Sequence, residues 1–131
     1  MVNKENWSPL MIAIGYDQPE NARLLIKKGA EINIVNNEGW SPLMIAFQNR
    51  QSEIASLLIE KGAYFNIAEN EGWSPLMLTL AYNQPEIARL LTEKGADINI
   101  RNNDGWSPLM LALEYNQRET IILLIEKGAI K

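Results

Sequence analysis

The hexapeptide Gly39-Trp40-Ser41-Pro42-Leu43-Met44 returns as Gly72 to Met77 and as Gly105 to Met110, and an earlier version, Asn6 to Met11, differs only in its first residue. Trp7, Trp40, Trp73 and Trp106 therefore follow one another at intervals of 33 residues. A fixed period of this length is the signature of a stacked repeat array. One such unit is too short to bury a core alone, so stability must come mainly from the faces between neighbours. The chain of 131 residues is expected to be a single domain of four repeats, at about residues 3–35, 36–68, 69–101 and 102–131.

Punctuation divides each repeat into two short helices. In the second repeat Ser41 suits an N-cap and Pro42 the first helical position, where its missing N–H costs nothing. Leu43, Ala46 and Phe47 recur at i, i+3 and i+4, giving one apolar stripe that should end near Asn49. A second helix is expected at about Ser52 to Lys61, with a wider apolar face made by Ile54, Ala55, Leu57, Leu58 and Ile59. Glu53 in its first turn and Lys61 at its end have the signs that favour the helix dipole. Gly62 follows, free to adopt the left-handed conformation that satisfies the last carbonyls. The polar passage Asn33 to Gly39 then favours a tight, hairpin-like turn into the next repeat.

The other repeats keep this plan. Pro19 and Pro85 open the second helix, where Ser52 and Arg118 stand in the other two. Asp17, Asn83 and Asn116 close the first helix in a position that tolerates a left-handed backbone, whereas Arg50 breaks that pattern and predicts local strain. Tyr64-Phe65 replaces Glu31-Ile32 and Asp97-Ile98; Phe65 is expected to pack and Tyr64 to be exposed as a local contact.

A helix, short turn, helix, Gly-Ala and hairpin, opening with Gly39-Trp40-Ser41-Pro42-Leu43-Met44-Ile45-Ala46, resembles the ankyrin repeat, whose units open Gly-x-Thr-Pro-Leu-His-x-Ala. Leu57, Leu58, Gly62, Ala63 and Asn66 extend the match, and the resemblance covers essentially the whole chain. It implies an all-α ankyrin-repeat solenoid of antiparallel helix pairs joined by hairpin-like loops, with a concave surface that binds other proteins and no catalytic residues. Two departures are visible. The family's His is Met11, Met44, Met77 and Met110, whose adaptable side chains can fill the stack without imidazole hydrogen bonds. The second small residue of the first helix is large, at Ile14, Phe47, Leu80 and Leu113.

By the same resemblance, the concave surface carries Trp7, Trp40, Trp73 and Trp106, with Glu5, Glu38, Glu71 and Asp104 two positions before them. Tyr16, Asn49, Tyr82 and Tyr115 occupy the exposed end of the first helix. Rungs of such a ladder are expected about 10 Å apart, the spacing of packed helices. Indole faces hold cations, at about 0.5–2 kcal/mol per contact, and tryptophan is enriched among interface hot spots. One reading is a site for a protein or peptide segment bearing Arg or Lys. The other is that each indole packs on a neighbouring hairpin and stiffens the array, its regularity inherited from duplication or design.

Charge and composition narrow the field. The net charge is −4 and no basic run occurs, so the counterion release that drives nucleic-acid binding is missing and anionic lipid is disfavoured. No apolar run approaches bilayer length, and the passage from Met1 to Trp7 leaves no room for a signal peptide. The chain is expected to be soluble and intracellular, although nothing names the compartment. There is neither Cys nor His, which removes thiolate chemistry and the commonest general base and metal ligand. No cofactor is expected. Asp97 to Asp104 only loosely resembles a calcium loop, because Arg101 takes a ligand position and the glycine is misplaced. Asn6-Trp7-Ser8 matches a glycosylation acceptor without a signal peptide to give it weight. The alternative to partner binding is a scaffold or excised array without a partner, self-associating through end faces where Leu10, Leu24, Ile121 and Ile125 remain apolar.

Overall fold

A computed structural model describes residues 6–130. Among these residues it has no strand and eight helices that alternate between seven and nine residues: α1 (Pro9–Gly15), α2 (Pro19–Lys27), α3 (Pro42–Gln48), α4 (Ser52–Glu60), α5 (Pro75–Ala81), α6 (Pro85–Glu93), α7 (Pro108–Glu114) and α8 (Arg118–Glu126). Two compact units are formed, Met1–Tyr64 and Phe65–Lys131. In the first, α1 packs on α2, α3 on α4, and the pairs stack α1 on α3 and α2 on α4. In the second, α5, α6, α7 and α8 repeat that scheme. This is the all-α helix-pair architecture expected from the repeats.

The short helices exist because both ends are closed locally. Ser8, Ser41, Ser74 and Ser107 have extended backbones, and each hydroxyl accepts the N–H of the methionine three residues on, at 3.2–3.3 Å. Proline occupies the next position in all four. At the far end Asp17, Arg50, Asn83 and Asn116 are left-handed, with φ of 60°, 58°, 56° and 54°. In the second repeat the Arg50 N–H then reaches the Phe47 carbonyl at 3.1 Å and the Gln51 N–H reaches Ala46 at 2.9 Å, completing a Schellman turn. The long helices stop the same way at glycine: Gly62 has φ 97°, and the Ala63 N–H closes on Leu58 at 2.9 Å.

Arg50 thus has the strained backbone its sequence position predicts, since a Cβ and long side chain are disfavoured in this region while asparagine is tolerated. Arg50→Asn is expected to stabilise the chain by about 0.5–1 kcal/mol, seen as a higher urea midpoint at unchanged slope. An unchanged or lower midpoint would mean that Arg50 makes a compensating contact.

Methionine does fill the stack: Met11, Met44 and Met77 are at most 1% exposed. Ile14, Phe47 and Leu80, the large residues of the first helix, are fully buried beside them. Polar side chains register one repeat on the next. The Gln51 amide donates to the Ile14 carbonyl at 2.9 Å and to Asp17 Oδ1 at 3.0 Å, and the Gln117 amide donates to Leu80 at 2.6 Å. Asn33 Oδ1 accepts the Tyr64 N–H at 2.8 Å, Asn66 the Asp97 N–H at 2.8 Å, and Asn99 the Ile130 N–H at 2.9 Å.

Candidate functional site

The hairpin tips are built around one buried acceptor each. Asn36 Oδ1 accepts the N–H groups of Glu38 at 2.9 Å and Trp40 at 3.0 Å, while the Asn36 N–H donates to the Trp40 carbonyl at 3.0 Å. Asn102 does the same for Asp104 and Trp106, at 2.9 and 3.0 Å. In the third repeat a longer acid takes over: Glu69 Oε1 accepts from Glu71 at 2.8 Å and Trp73 at 2.9 Å. All three acceptors are buried, at 5–8% exposure. Each clasp fixes the backbone of an acidic residue and a tryptophan, so that both side chains leave a rigid loop. In the second unit the tips are also joined to each other, because the Asn103 N–H donates to the Glu71 carbonyl at 2.9 Å and its amide to Asn70 at 3.2 Å.

Trp7, Trp40, Trp73 and Trp106 are all half-buried. The six-membered ring of Trp7 lies against Gly15, the last residue of α1, so closely that a Cβ there would collide with it. This indole therefore packs on the last turn of its own first helix. Gln48, Ala81 and Glu114 hold the equivalent of Gly15 in the other repeats. Glu38, Glu71 and Asp104 are exposed, and the two ion pairs found among the described residues, Arg23–Glu53 and Arg89–Glu93, use none of them. Glu5 lies outside the described residues.

The helix-end positions differ among themselves. Tyr16 and Tyr115 are exposed, Tyr82 is half-buried, and each supplies the C-cap of its helix. Asn49 also caps its helix, but its amide is committed to the Ile14 and Gly15 carbonyls at 2.9 Å each, which makes it a tie between repeats. Tyr115 borders a shallow, open groove of about 500 Å³ with Asn83, Pro85, Asn116 and Arg118; enclosed apolar pockets suit small molecules better than such a surface does. Tyr64 is 59% exposed and Phe65 half-buried, as their positions predict.

Among the described residues no helix is long and apolar enough to cross a membrane, and no group of acidic residues is arranged to hold a metal ion. Capped helix pairs, polar ties that recur from repeat to repeat and projecting clasped tips define a helical repeat protein. The family model for "Ankyrin repeats (3 copies)" matches residues 1–69 and again residues 64–131, and the chain belongs to the ankyrin-repeat family. Members of this family generally act as protein–protein interaction modules and typically not as enzymes. A comparison with curated proteins returned no match.

Proposed function

We propose that this chain is a non-catalytic interaction module that binds a protein segment rich in Arg or Lys on its tryptophan- and acid-bearing face. The observation that carries this reading is the clasp. Asn36, Glu69 and Asn102 hold three acid–tryptophan pairs on rigid backbone, so little ordering entropy opposes binding. The exposed carboxylates would draw a cation in, and the partly accessible indole would supply its face. Neighbouring tips tied at Asn103 present two such pairs together in the second unit.

Tryptophan emission provides the test. Arg-bearing peptides titrated into the free protein should shift the emission, with affinity falling as salt rises. Glu38→Gln, Glu71→Gln and Asp104→Asn combined should weaken the effect at least several-fold. Equal binding of an uncharged peptide, or indoles fully shielded from acrylamide in the free protein, would sink the proposal.

A second reading, a scaffold that self-associates without a separate partner, is favoured by one observation. Leu24, Leu113, Ile122 and Ile125 are 39–58% exposed. Ile121 is half-buried, and Leu10, expected on an end face, is instead interior at 1%.

A further inference from the structure

Within each unit the following repeat covers the trailing face of the one before it. Met11 and Ile14 in the first repeat, and Met77 and Leu80 in the third, are fully buried where α3 packs on α1 and α7 on α5. The fourth repeat carries the same face uncovered, with Met110 at 39% and Leu113 at 58% exposure. It is also more apolar than the repeat pattern requires. Ile122, 57% exposed, stands where the other repeats have Arg23, Ser56 and Arg89, and Ile121 stands where they have Ala22, Ala55 and Ala88. Ile125 is 39% exposed, whereas Ile26 and Thr92 are buried.

The first repeat presents the complementary leading face. Leu24 is 55% exposed, whereas its equivalents Leu57 and Leu123 are half-buried and buried; Ile12 is half-buried, whereas Ile45 and Leu111, its equivalents in the second and fourth repeats, are buried where each repeat packs on the one before it. A polar tie is in place as well. Gln51 and Gln117 donate their amides to the Ile14 and Leu80 carbonyls of the preceding repeat. Gln18 holds that position in the first repeat and is exposed; Asn21 engages its oxygen at 3.2 Å, leaving the amide nitrogen to donate. The matching acceptor is the Leu113 carbonyl. It takes the Asn116 N–H at 3.1 Å, just as Leu80 takes the Asn83 N–H at 3.2 Å while also receiving Gln117.

We propose that the trailing face of α7 and α8 receives the leading face of α1 and α2 of a second copy of this chain, in the register that joins repeats within each unit. The proposal specifies the self-association reading above and rests on it. A contact between two different faces leaves one face of each kind open at the ends, so assembly does not close at a dimer through it. Two trailing faces meeting about a two-fold axis would stop at two chains.

Sedimentation over a concentration series should therefore show the mass of the 131-residue chain rising past that of a dimer. A trailing-face variant, Leu113→Glu with Ile122→Arg, and a leading-face variant, Gln18→Glu with Leu24→Glu, should each be monomeric alone. Mixed in equal amounts they should form a dimer that grows no further, because each contributes one intact face. Circular dichroism checks their folding, and Ile122→Arg alone, which installs a residue other repeats carry, serves if the double change unfolds. A leading-face variant that dimerises by itself would overturn the head-to-tail register while leaving self-association standing. A strictly monomeric wild type at the highest concentration reached would overturn both.

Discussion

Gly72→Ala is expected to destabilise the second unit by about 2–5 kcal/mol, the sum of about 1–2 for a left-handed residue with a Cβ and about 1–3 for overpacking. The backbone at Gly72 has φ 88°. A Cβ there would meet the Asn103 nitrogen at 2.8 Å and the Asn102 Cα at 2.9 Å, both backbone atoms of the next tip that cannot swing aside. Gly105 has nearly the same φ, 84°, with nothing within 4 Å of its would-be Cβ. Gly105→Ala should then cost only the conformational part, about 1–2 kcal/mol. The difference between the two urea midpoints isolates the close approach of one tip to another. Equal losses would mean that the second unit relaxes to accept the methyl group, and that its tips are less rigidly joined than their hydrogen bonds suggest.

Removing a clasp should rank next. Asn102→Ala withdraws the acceptor from the Asp104 and Trp106 N–H groups in a position only 6% exposed. Leaving buried donors unsatisfied costs about 1–3 kcal/mol. Asn102→Asp should be far milder, since Glu69 shows that a carboxylate oxygen fills the same role. Thermal unfolding of the two variants compares them directly. Because the clasp holds an acid and an indole together, Asn102→Ala should also weaken binding at that tip while the other tips retain theirs. A binding loss equal to that of removing Trp106 itself would show that backbone order, and not the indole alone, carries the interaction.

What could be read in the sequence was what is decided locally. Ser-Pro openings, left-handed Asn or Asp closures and the glycine stops each depend on residues within one turn, so Pro42, Arg50 and Gly62 behave as their positions predict. The clasp was not legible. Its position carries Asn, Glu and Asn at residues 36, 69 and 102, and a polar residue in a polar loop gives no sign of being buried. The glutamine ties are hidden for a different reason: Gln18, Gln51, Gln84 and Gln117 recur at the same period as tryptophan, but the carbonyl that Gln51 or Gln117 meets lies 37 residues away. Periodicity of that kind was the available signal. The tryptophan ladder was visible as residues, whereas the contact of Trp7 with Gly15 depends on how an indole lies along its helix.

That contact gives at least one indole packing work, which makes the division between packing and binding the central question. Trp40→Ala combined with Trp73→Ala, compared with the wild type in capture of interacting proteins and in circular dichroism, addresses it most directly. The helical signal should persist, because Ser41, Pro42, Ser74 and Pro75 still start α3 and α5, while captured proteins are lost. Loss of the fold, or capture unchanged by the double substitution, would contradict it.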